Sequence, residues 1–121
     1  MLFRSEVFLD AVEKKQKLLY EDYEIQPPAD MTARQLAVYG EAVQQRLRAW
    51  WKGETDRQAI REMDTYWGFK PMLTVLERTA WHSAQHTRQI ELALSKLGIA
   101  SPRPLTAETL KGLPVPESVY F

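Results

Sequence analysis

Two histidines, His82 and His86, stand four residues apart in the stretch TAWHSAQHTRQI, residues 79–90, and the chain has no others. Residues at i and i+4 of a helix stack on one face, so the two imidazoles can converge on a shared partner. The chemistry open to such a pair is coordination of one divalent ion, at about 2.0–2.1 Å per Zn–N bond. The alternative is a pair that hydrogen-bonds carbonyls or carboxylates on a packed helix and holds no metal. Two histidines leave a metal short of ligands, because a catalytic site uses three protein ligands and keeps one position open. Glu6, Asp64 and Tyr66 are the candidates for a third ligand within the chain. A zinc-protease motif is excluded, since it needs glutamate directly after the first histidine and Ser83 stands there. No nucleophile-elbow motif surrounds Ser83. There is no cysteine, hence no thiolate ligand, disulfide or cysteine nucleophile in this chain.

Three helical segments must position this pair. The first runs from about Leu2 to Tyr20, with Phe3, Val7, Phe8, Ala11, Val12, Leu18 and Leu19 spread over more than half its circumference. Pro27 and Pro28 then break the helix. The second runs from about Thr32 to Lys52, with Asp30 or Thr32 as its cap and a stripe of Leu36, Tyr39, Val43, Leu47 and Trp50. Residues 54–70 form a connector with one or two helical turns. The third helix runs from Pro71 to Leu97, closed by Gly98. Its seam of Leu73, Leu76, Ala80, Ser83, Thr87, Ile90, Leu94 and Leu97 carries small residues in the middle, where a backbone or a ligand can approach. A proline-rich tail, with a short helix at about 106–111, packs back along the bundle.

The pattern therefore predicts one domain over residues 1–121 of all-α class. Apolar residues make up 45% and charged residues 26%, an ordinary globular balance. Sixteen basic residues offset sixteen acidic ones, which gives no field for nucleic acid or acidic lipid. No apolar run is long enough to span a membrane, and the N-terminus lacks a signal-peptide pattern, so the expected location is the cytoplasm. Trp81 falls near Glu77, Arg78, Gln85 and Arg88, on the face expected to be solvated, and marks an interface candidate with Phe3, Val7 and Phe8. The basic cluster of Arg46, Arg48 and Lys52 is expected to be a solvated face.

The segment LERTAWHSAQHTRQIELALSKLGI, followed by RPLT and GLPVPESVY, resembles the DinB-like family of bacterial four-helix bundles. FRSEVFLDAV and YGEAVQQRLRAWW resemble the same branch, the one found as the C-terminal domain of glutaredoxin–DinB fusions, and the likeness covers essentially the whole chain. It implies an up-down bundle in which three histidines hold zinc or nickel, two of them in the H-x-x-x-H arrangement matched by His82 and His86. Relatives of this kind include metal-dependent thiol S-transferases. The family position of the third histidine falls near Met1, and the chain begins partway into what resembles the family's second helix. The expectation is thus an N-terminally truncated DinB-like bundle lacking its first helix and completed by forming a homodimer. It acts as a non-catalytic module for a small molecule, a thiol or a protein; the alternative is a metal-dependent transferase or hydrolase.

Overall fold

The computed structural model describes the backbone of residues 2–24 and 26–119, and side chains from residue 4 onward within that span. Met1 and the Phe3 side chain, one a metal candidate and the other an interface candidate, lie outside the described residues. The element order is α1 (Leu2–Lys14), a 3-10 turn (Tyr20–Glu24), α2 (Ala33–Gly53), β1 (Glu62–Thr65), β2 (Gly68–Pro71), α3 (Met72–Lys96) and α4 (Ala107–Leu110). The chain forms two compact units, Leu2–Leu76 and Glu77–Phe121.

The expected all-α class is overturned. Helix dominates, but residues 62–71 form an antiparallel hairpin with Glu62 opposite Pro71 and Thr65 opposite Gly68. The period of β1 is two: Met63 and Thr65 are buried, while Glu62 is exposed and Asp64 half-buried. Gly68, at φ +108, takes a backbone conformation that side-chain-bearing residues rarely adopt. Thr65 closes the turn through its hydroxyl, which donates to the Gly68 carbonyl and accepts from Trp67 N–H. Pro71, expected in the first turn of a helix, ends β2 instead.

The apolar face of α1, expected to need a second copy to cover it, finds partners within its own unit. Phe8, Leu9, Ala11 and Val12 join Leu18, Ala59, Met63, Met72 and Val75 in one core. Phe8 meets Trp50 edge-on at 5.3 Å between ring centroids. The argument for a covering partner rested on that face being open.

Helix α1 ends at Lys14, well short of Tyr20. Gln16 N–H donates back to Ala11 C=O at 3.2 Å, with Lys15 between them at φ 51, which is a Schellman-type end with lysine where glycine is usual. Leu18 then donates to Asp64 C=O and accepts from Tyr66 N–H, both at 2.9 Å, a parallel bridge to Thr65. Pairing with the hairpin thus outcompetes continuation of the helix. Leu18 is buried, and Leu19 is 44% exposed.

Helix α2 begins at a full capping box: Gln35 N–H donates to Thr32 Oγ1 at 3.1 Å and Thr32 N–H donates to Gln35 Oε1 at 2.8 Å. Arg46 is not merely solvated. Its Nη2 bridges Asp10 at 2.8 Å and Glu13 at 2.9 Å on α1. Asp10 and then Glu13 raise the guanidinium pKa above its ordinary value. In the loop before β1, the Asp56 carboxylate accepts from Arg61 N–H at 2.9 Å, which holds it below the usual aspartate range.

Candidate functional site: the histidine pair on α3

Both histidines lie on α3 and both are half-buried. Their rings are 4.7 Å apart between centroids and tilted by 60°, with Nε2 facing Nε2 at 3.0 Å. The other nitrogen of His86, Nδ1, lies 2.9 Å from Gln89 Oε1. Gln89 Nε2 donates to Val119 C=O at 3.1 Å, which fixes the amide so that its oxygen faces His86. An amide oxygen only accepts, so His86 Nδ1 donates to it, and in the neutral form of the ring Nε2 is the lone pair facing His82. Trp81 packs beside His82 at 5.6 Å between ring centroids and is half-buried rather than solvated.

Two nitrogens on one tetrahedral ion stand about 3.3 Å apart, and two at a right angle about 2.9 Å, from bond lengths near 2.05 Å. The 3.0 Å separation therefore matches the spacing of two ligands on one divalent ion, which both rings reach by turning off the line between their nitrogens. The hydrogen bond to Gln89 is the outer-shell support usual for a metal-binding imidazole, fixing tautomer and orientation. The donors present fit a two-nitrogen site. Among the described residues, no group of three His, Cys, Asp or Glu side chains is arranged to hold a metal. The proposed third ligands Glu6, Asp64 and Tyr66 all belong to the Leu2–Leu76 unit. Tyr66 sits among aromatic rings there, edge-on to Tyr20, Tyr23 and Trp67. Of the interface candidates, Phe8 is fully enclosed in the core and Val7 packs against it.

The tail holds this region of α3 through side chains. Gln85, only 1% exposed, donates from Nε2 to the carbonyls of Ser118 and Val119 at 3.1 and 2.8 Å. Arg88 donates to Gln85 Oε1 and to Pro116 C=O, each at 2.7 Å, and to Glu117 C=O at 3.3 Å. Glu91 accepts from Leu105 N–H at 2.9 Å. Composition and spacing did not single out Gln85 or Gln89. Gln89 was accessible in principle, because it comes three residues after His86 and so shares its face. Gln85 was not, since its partners lie more than thirty residues further along.

The seam expected on α3 is displaced. Leu73, Ile90 and Leu97 are 52%, 53% and 74% exposed, whereas Met72, Val75, Thr79 and Gln85 are buried. The small polar residues of that seam bond to their own helix, Ser83 to Thr79 C=O at 3.0 Å and Thr87 to Ser83 C=O at 2.9 Å.

The chain matches no family model, no curated protein and no solved structure. Among the described residues, no helix is long and apolar enough to cross a membrane.

Proposed function

We propose that the chain is a small binding module whose His82–His86 pair takes a divalent transition-metal ion, zinc or nickel, through the two Nε2 atoms. One observation carries this reading: the 3.0 Å approach of those atoms, with His86 locked from behind by Gln89. The resemblance to DinB-like proteins supports the same two positions. His82 and His86 hold the ion, Gln89 orients His86, and Trp81 covers one side of the His82 ring. An ion held by two protein ligands keeps open positions, so a small molecule such as a low-molecular-weight thiol completes the site. When bound, the ion lowers the pKa of a coordinated thiol or water and makes a nucleophile near neutral pH.

Zinc and nickel titration of protein without a histidine tag tests the reading. Uptake of a single ion per chain, abolished in His82→Ala and in His86→Ala, is the expected result. A bound ion also raises the melting temperature, since an ion at a hundred times its Kd adds about 2.7 kcal/mol. Absence of saturable uptake, with melting unchanged by metal or chelator, overturns the metal reading.

A further inference from the structure

A cavity of about 420 Å³ opens beside the hairpin, within the Leu2–Leu76 unit, and shares no residue with the histidine pair. Its volume is in the range of ligand clefts. Ala11, Val12 and Met63, 4%, 9% and 7% exposed, give it an apolar floor, and Phe69 stands at the rim, 66% exposed.

The cavity lies along the outer edge of β1. Met72 N–H donates to Arg61 C=O at 2.8 Å, and main-chain bonding in an antiparallel pair alternates along each strand. The pairs Met63–Lys70 and Thr65–Gly68 are therefore hydrogen-bonded, and the main-chain groups of Glu62 and Asp64 face away from β2. Pro71, which has no N–H, sits opposite Glu62, where none is needed. Leu18 engages this outer edge at Asp64 C=O and Tyr66 N–H. Glu62 N–H, Glu62 C=O and Asp64 N–H continue the edge without a main-chain partner among the described residues. Lys15 and Lys17 line the same cavity, and neither makes an ion pair among the described residues. Lys15 is held at φ 51, a conformation costly for a lysine and one that gathers at binding sites.

We propose that this cavity binds the free C-terminus of an extended peptide, which adds to β1 as a parallel strand and ends in a basic residue followed by an apolar one. In the register set by Leu18, the last peptide residue lies opposite Met63. Its N–H donates to Glu62 C=O and its carboxylate accepts from Asp64 N–H. Gln16 and Lys17 lead into Leu18 and occupy the next place along the edge, so the added strand has to stop there. A chain that stops there presents a carboxylate, and the ammonium groups of Lys15 and Lys17 supply the opposite charge. Strand alternation puts the last side chain on the face of Met63, Ala11 and Val12, which calls for an apolar residue. The preceding side chain shares the face of Glu62 and Asp64, whose carboxylates call for lysine or arginine.

Fluorescence anisotropy of a labelled hexapeptide, Gly-Ser-Gly-Ser-Lys-Leu, titrated with the full chain is the test. Saturable binding of the free acid is expected, weaker by about tenfold or more for the C-terminal amide and for the version with Glu in place of Lys. Lys17→Gln weakens the free acid by a similar factor. Lys15→Gly weakens it while raising the melting temperature, which separates loss of the site from loss of the fold. His82→Ala leaves it unchanged. The proposal is overturned by equal binding of acid and amide, by indifference to Lys17→Gln, by loss in His82→Ala, or by no saturation at about 1 mM protein, the weak limit of specific binding.

Discussion

His86 Nε2 faces His82 Nε2 at 3.0 Å, and the far side of the His86 ring is tied to Gln89 at 2.9 Å. The pair is thus set from both ends: by helical spacing on one side and by a fixed amide on the other. Without an ion, one Nε2–H must lie between the rings and donate across the gap; with one, both nitrogens turn lone pairs to the same point.

Gln89 is a positioning residue in this arrangement. Gln89→Ala should lower zinc affinity roughly tenfold or more, the usual effect of losing an outer-shell partner. Gln89→Glu keeps an acceptor at His86 Nδ1 and should restore most of the loss. Isothermal titration of the two variants side by side distinguishes orientation from bulk; equal losses would argue against orientation.

Phe8 anchors the core of the Leu2–Leu76 unit, fully enclosed and edge-on to Trp50. Phe8→Ala should destabilise by about 3–5 kcal/mol through lost burial and the cavity left behind. Urea unfolding monitored by tryptophan fluorescence measures it. A cost below about 1 kcal/mol, the scale of a surface change, would contradict the packing described.

Arg46 joins α2 to α1 by bridging Asp10 and Glu13. All three side chains are partly exposed, so solvent screens the bridge. Arg46→Ala should cost about 1 kcal/mol at low salt and less at about 1 M salt, where the Debye length is near 3 Å. A salt-independent loss would assign the effect to packing of the arginine stem.

Asp56 should give stability a dependence on acid. Its carboxyl is held below the ordinary range, chiefly by Arg61 N–H, so its contribution is present above the unfolded-state pKa. That contribution disappears as pH falls through the lower, folded-state value. Asp56→Asn should therefore lose less stability than the parent between neutral pH and about pH 3, below the ordinary aspartate value. Denaturant midpoints at the two pH values provide the comparison, and identical slopes would refute the link.

Lys15→Gly should stabilise the chain by about 1 kcal/mol, because glycine adopts the left-handed conformation at the end of α1 without the side-chain penalty. Thermal melting checks this, and a lowered melting temperature would mean that the lysine stem packs usefully.

Much of α2 and α3 was legible in the sequence because each leaves long-range geometry out of the decision. Thr32 and Gln35 form a local box, and His82 and His86 meet through spacing alone. The hairpin was not legible. Its strands have four residues each, too few for a period to stand out, and Tyr66-Trp67 at the turn lacks the usual asparagine–glycine signal. The early end of α1 depends on Leu18 finding Asp64 and Tyr66 across more than forty residues, and Leu9, wholly buried, was missed beside its more obvious neighbours. The displaced face of α3 has the same origin, since a buried Gln85 makes sense only once the carbonyls of Ser118 and Val119 are in place.

At its far end the clasp along α3 grips main-chain oxygen: Gln85, Arg88 and Gln89 address the carbonyls of Pro116 through Val119. Every amino acid offers that same atom. The fastening therefore follows the path of the strap's main chain, so that replacing Gln85, Arg88 or Gln89 loosens it whichever residue supplies the carbonyl.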